Sequence, residues 1–160
     1  MSQSNFDFLA EHSSLFVELA HAAERVFASD PNTTLIKLRQ LGEAMAQELA
    51  VRSGVAFDDQ TNQNDLLQRL KRELNLDAQV LSLFHTLRIE GNRATHQFQT
   101  RHKDAMDGLR VARALAIWFH QSFSKVGLDF KPGPFTPPED PSLQLRELQE
   151  QIEQLKAKLS

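Results

Sequence analysis

Arg88, Asn92 and His96 stand four residues apart from one another in Leu87-Arg88-Ile89-Glu90-Gly91-Asn92-Arg93-Ala94-Thr95-His96-Gln97. On a helix that spacing lines all three along one side. A histidine so placed can act as general acid or base on an RNA 2′-hydroxyl while Arg88 or Arg93 steadies the developing phosphate charge. The same groups also suit a quieter purpose. The apolar stripe Val80, Phe84, Leu87, Gly91, Thr95 and Phe98 runs beside them, so they sit at the margin of a buried face, where polar groups must find hydrogen-bond partners. Arg88 and Asn92 would then satisfy buried groups and pair with Glu43 on a neighbouring helix. Arg39 on that helix is the other residue expected beside them. Phosphate binding without catalysis lies between the two readings.

The elements that would hold this stretch are all helical. Ser4 or Asn5 can cap a first helix bearing Leu9, Phe16, Leu19, Ala20, Ala23, Val26 and Phe27, in the three-and-four rhythm of an amphipathic helix. Asp30 followed by Pro31 marks the next start, since proline at the first helical position gives up an N–H that has no helical partner there. This second helix buries Leu35, Leu38, Leu41, Met45 and Leu49 and stops near Gly54, with Gly42 permitting close helix packing. Residues 55–63 read as a surface loop. Leu66, Leu67, Leu70 and Leu74 mark a short third helix, and Asp77 caps a fourth that runs toward Phe98, with a kink or tight contact expected at Gly91. Beyond Thr100-Arg101-His102 a fifth helix carries Ala105, Leu109, Ala112, Ala116, Phe119 and Phe123, with Trp118 as a large packing group.

Five of the six prolines fall in Lys131-Pro132-Gly133-Pro134-Phe135-Thr136-Pro137-Pro138-Glu139-Asp140-Pro141, which can be neither helix nor central strand. It reads as a semi-rigid linker packed at Phe135. Leu145, Leu148, Ile152, Leu155 and Leu159 then alternate steps of three and four, a coiled-coil seam of about two heptads that is expected to continue past Ser160. The fold class is therefore all-α: an up-and-down bundle of about five helices over residues 1–130, a linker over 131–141, and a coiled-coil-like helix over 142–160.

Composition narrows the chemistry. With 41% apolar residues the chain can build a core, and a formal net charge of −3 gives no global pull toward nucleic acid. The absence of cysteine excludes disulfides and thiolate metal sites and fits the cytoplasm. No stretch has the length and apolarity of a membrane span. None of the six glycines builds a phosphate loop or a G-x-G-x-x-G turn. His12, His21, His85, His96, His102 and His120 form no H-E-x-x-H-like set, so no metal site is expected. His12, His21 and His120 read as core-edge packing residues. Lys37, Arg39, Arg69, Lys71 and Arg72 read as solvated helix faces rather than a surface for DNA or a partner subunit. Asp129-Phe130-Lys131 is like the tail of a nuclease motif whose carboxylates need adjoining strands, and no strand is expected.

Asp30-Pro31-Asn32-Thr33-Thr34-Leu35-Ile36-Lys37-Leu38-Arg39, Phe84-His85-Thr86-Leu87-Arg88, Gly91-Asn92-Arg93-Ala94-Thr95-His96 and Ile117-Trp118-Phe119-His120 together carry a resemblance. The chain resembles the N-terminal helical region of the restriction (R) subunit of bacterial type I restriction-modification enzymes, over essentially its whole length. The resemblance implies a parent protein that is an ATP- and Mg2+-dependent DNA translocase and endonuclease. Its partners would be the other R-subunit domains and the methyltransferase and specificity subunits, with DNA met through the full complex. It places neither motor nor nuclease in this chain, which would be an accessory and assembly module. A homodimer through the C-terminal helix is a further expectation. The module also resembles the HEPN group of helical domains, several of which are metal-independent RNases or nucleic-acid sensors that pair an Arg with a His. Seven residues separate Arg88 from His96 and two separate Arg93 from His96. Neither interval reproduces the catalytic one, and only Asn92-x-x-x-His96 matches the related Asn-His form.

Overall fold

A computed structural model describes residues 4–159. The first three residues of the N-terminal stretch and Ser160, where the leucine seam was expected to run on, lie outside that range. Six α-helices and two short 3-10 turns account for its regular structure, and no strand occurs among the described residues. The helices are α1 (Ser14–Arg25), α2 (Pro31–Ser53), α3 (Gln63–Leu74), α4 (Ala78–His96), α5 (His102–Phe123) and α6 (Pro141–Leu159).

The helix starts follow from local chemistry. Asp30 accepts from Thr33 N–H at 3.1 Å, Asn62 from Asp65 N–H at 2.8 Å and Asp77 from Gln79 N–H at 2.8 Å. Each satisfies an N–H that has no partner within the helix, a stabilisation of about 1 kcal/mol. Gly54, at φ 73°, closes α2 in the left-handed conformation.

The first helix differs from its expectation. A 3-10 turn over Asp7–Glu11 precedes α1, which starts only at Ser14, where the Ser13 side chain accepts from Leu15 N–H. The reason lies in where the expected caps are spent. Asn5 is buried and Ser4 half-buried, and both bond to Glu24 on α1, Asn5 through its side-chain amide at 2.9 Å. α4 likewise ends at His96, two residues short of Phe98, which is 84% exposed.

α2 is the axis of the bundle, with α1, α4 and α5 packed around it and α3 lying on both α2 and α4. Its Leu35, Leu38, Leu41, Met45 and Leu49 are buried against Phe16, Phe27, Phe84, Leu109, Leu115 and Phe119 from the surrounding helices. α4 can approach α2 closely because Gly91 has no side chain, and a Cβ built there would meet the Arg39 stem, with Arg39 Cγ at 2.9 Å. The helix runs unbroken through Gly91, so the glycine serves a tight contact.

The proline-rich segment is held to the bundle. Arg113 on α5, 8% exposed, donates to the carbonyls of Pro132 at 2.8 Å, Gly133 at 3.1 Å and Asn5 at 3.2 Å. The Asn5 amide adds a reciprocal pair with the Thr136 backbone at 2.8 and 2.7 Å. Phe135 packs on the core beneath the Arg110 guanidinium, 4.6 Å from its ring centroid. Every residue of α6 from Leu143 to Leu159 is exposed, the apolar seam included.

Candidate functional site

The close α2–α4 contact sets the geometry of the candidate residues. With no side chain at Gly91, the Arg39 stem lies against α4 and its head emerges between the two helices. Arg39 Nη1 donates to Asn92 Oδ1 at 3.1 Å. Its Nε is shut off from solvent and faces Glu43 Oε1 at 3.4 Å, an ion pair without hydrogen-bond alignment. A half-exposed pair of this kind adds little stability, about 0–1 kcal/mol. What it does is orient: α2 supplies a guanidinium fixed between a carboxylate of its own helix and an amide of α4.

Glu43, Asn62, Gln63, Asn64, Arg88 and Asn92 line an open cleft of about 370 Å³ between α2, α4 and the start of α3. On its α4 side, Arg88 Nε donates to His85 Nδ1 at 3.3 Å. The His85 proton affinity is pushed below the usual imidazole range, first by burial and then by the Arg88 and Lys71 charges. The ring is thereby kept in the neutral form that can accept from Arg88. Arg88 thus bonds to His85 on its own helix, and Glu43 takes Arg39 instead of the expected Arg88.

Of the six residues singled out in the sequence, Arg39, Glu43, Arg88 and Asn92 converge on the cleft or its wall. Arg93 and His96 do not. Arg93 folds back on Glu90, with Nη2 and Nε at 2.7 and 2.9 Å from one carboxylate oxygen. His96, the last residue of α4, is exposed and forms no part of the cleft lining. The cleft offers guanidinium, carboxylate and amide groups suited to holding a polar partner. It contains no nucleophile beside a base, the pairing that covalent catalysis needs.

Of the other basic residues singled out in the sequence, two lie open to solvent. Lys37 is half-buried, Lys71 and Arg72 are exposed, and Arg69 is spent on the Ala56 carbonyl at 3.0 Å, pinning the α2–α3 loop. Phe119 is buried, and the half-buried Trp118 packs edge-on against Phe84.

A second polar cluster had no signal in the sequence. His12 Nε2 lies 2.8 Å from His120 Nδ1, although 108 positions separate them, and Glu11 Oε2 lies 3.5 Å from the same nitrogen. No spacing rule joins residues that only the packing of the N-terminal turn against α5 brings together.

Comparison with known proteins adds two findings. A family model described as a domain of unknown function, DUF4145, matches residues 21–123, which takes in α1 in part and α2 to α5 whole. The chain is also 39% identical over 139 residues to the type I restriction enzyme EcoKI endonuclease subunit of Escherichia coli (strain K12). That likeness covers 87% of the chain but 12% of the relative, so the chain spans a small part of the curated protein's length. No solved structure matches the chain.

Proposed function

The chain belongs to the DUF4145 family, and from that premise we propose that it is an N-terminal accessory and assembly module of the endonuclease (R) subunit of a type I restriction enzyme. The observation that carries this reading is the 39% identity sustained over 87% of the chain. α6 supports a docking role, because Leu145, Leu148, Ile152 and Leu155, between 45% and 59% exposed, form an apolar seam open to solvent.

In this reading the bundle extends to residue 130, the strapped linker follows it, and α6 (Pro141–Leu159) is the docking helix. The partners are the other domains of the R subunit and, through them, the methyltransferase and specificity subunits. DNA is met by the whole complex. The ATP and Mg2+ of the parent enzyme serve its motor and nuclease regions. The glycines of this chain do not form a phosphate-cradling loop: Gly42, Gly91 and Gly108 face packed side chains, and Gly54, Gly127 and Gly133 sit singly at turns. No helix among the described residues is long and apolar enough to cross a membrane. The absence of cysteine accords with a cytoplasmic enzyme.

The RNase reading requires His96 and an arginine to converge on one substrate. With His96 exposed beyond the cleft and Arg93 tied to Glu90, no observation favours it over assembly.

The test separates α6 from the bundle. Supplied in trans to an endonuclease subunit lacking this region, the chain is expected to co-elute with it. Leu148→Glu combined with Ile152→Glu should abolish co-elution at unchanged helical content, because both side chains face solvent in the free chain. Failure of the unaltered chain to associate, or its pairing with a second copy instead, would count against docking.

A further inference from the structure

The cluster at the N-terminal turn is built like a metal site. Glu11 ends the 3-10 turn, His12 follows it, and His120 lies in the last turn of α5. One ligand atom from each falls within 4.8 Å of the other two. His120 is 4% exposed. Its ring is enclosed by Phe130 at 4.4 Å and Phe8 at 5.2 Å, while Phe119 packs edge-on against His12 at 5.2 Å. Glu11 opens the other side to solvent, with its side chain 49% exposed.

The geometry points to a Zn2+ site formed by His12 Nε2, His120 Nδ1 and Glu11, with a fourth position left to water. Two histidines and a carboxylate are a donor set that zinc accepts, and an apolar shell around such donors limits solvent access to them. Two nitrogens on one tetrahedral zinc, each about 2.0–2.1 Å from it, lie about 3.3 Å apart. The observed 2.8 Å needs an opening of about half an ångström. The 3-10 turn can give that much, since His12 falls between it and α1. The hydrogen bond between the rings places one proton between the two facing nitrogens. On metal binding that proton leaves for solvent and the donor ring is reprotonated at its far nitrogen, so both facing lone pairs become ligands and each imidazole stays neutral.

The remaining charges nearby are compatible with a cation. Arg52 stands over the Phe119 and Phe123 rings at 5.4 and 4.9 Å and is paired with Glu48 at 2.9 Å. Zinc here would tie the N-terminal turn to the end of α5, which also carries Arg113. The inference stands apart from the assembly reading and does not depend on it.

Zinc titration of the metal-free, tag-free chain tests it. One Zn2+ per chain is expected, raising Tm by roughly 5–10 °C at a hundredfold excess over the dissociation constant. His12→Ala should weaken uptake by more than about a hundredfold, beyond the loss typical of outer-sphere groups. Glu11→Gln, at an exposed position that leaves the fold intact, should weaken it by about tenfold or more. Absence of uptake by the folded chain would show a proton-sharing pair only and overturn the proposal. Uptake unchanged in both variants would place the metal on other residues and overturn it equally.

Discussion

Gly91→Ala is expected to destabilise the chain by about 1–3 kcal/mol, the range for an overpacked interior. The sign is what makes it informative, because glycine to alanine within a helix ordinarily gains up to about 1 kcal/mol. Here the added methyl group meets the Arg39 stem close to its backbone, with Cγ at 2.9 Å and Cδ at 3.0 Å. These are not the free end of a flexible side chain, so α2 and α4 must separate. Separation also moves Arg39 away from Asn92, now 3.1 Å from its Nη1, and reshapes the cleft wall. Denaturant unfolding should show a lower midpoint at unchanged slope, equivalent to a fall of roughly 2–12 °C in Tm. Equal or greater stability would mean that the helices are not in the contact described.

Arg113→Met should cost about 2–4 kcal/mol, although it keeps much of the side chain's length and apolar packing. The guanidinium holds three carbonyls at 2.8, 3.1 and 3.2 Å, two on the linker and one on Asn5. The linker carbonyls can return to water, whereas Asn5 is buried and its carbonyl cannot do so freely. The loss should therefore divide. Global stability falls, and the proline-rich segment becomes open to protease between Phe130 and Pro141 under conditions where the unaltered chain resists. Arg113→Lys keeps the charge but cannot present a planar fork to several carbonyls, so it should fall between. A linker as protected in Arg113→Met as in the unaltered chain would remove the strap from the account.

What was readable in advance follows from how far each interaction reaches along the chain. Asp30 with Pro31, Gly54 and Asp77 act within a helical turn of themselves, and they mark helix ends where the sequence reading put them. The apolar stripes of α2, α4 and α5 depend only on helical period, and their residues form the core. Ser4 and Asn5 had the right chemistry for a cap, but Glu24 and Thr136 compete for them from 20 and 131 positions away. Arg113 lay on an apolar stripe with no local sign that it would gather a distant linker. In the candidate site, period alone put Arg88 and Asn92 on one side of α4. That Arg39 would reach Asn92 depended on the glycine contact between helices. His96 shares the four-residue spacing, yet the helix ends at that residue and leaves it outside the cleft.

The central proposal is that this chain assembles an enzyme rather than cleaving a substrate, and comparing restriction with modification in cells tests it most directly. With the complete enzyme present, a subunit carrying Leu148→Glu and Ile152→Glu in this module is predicted to restrict unmethylated DNA at least about tenfold less, a loss of interface-anchor size. Methylation by the remaining subunits should be unchanged, and His96→Ala should leave both activities intact. Full restriction with the altered seam, together with its loss in His96→Ala, would contradict the account.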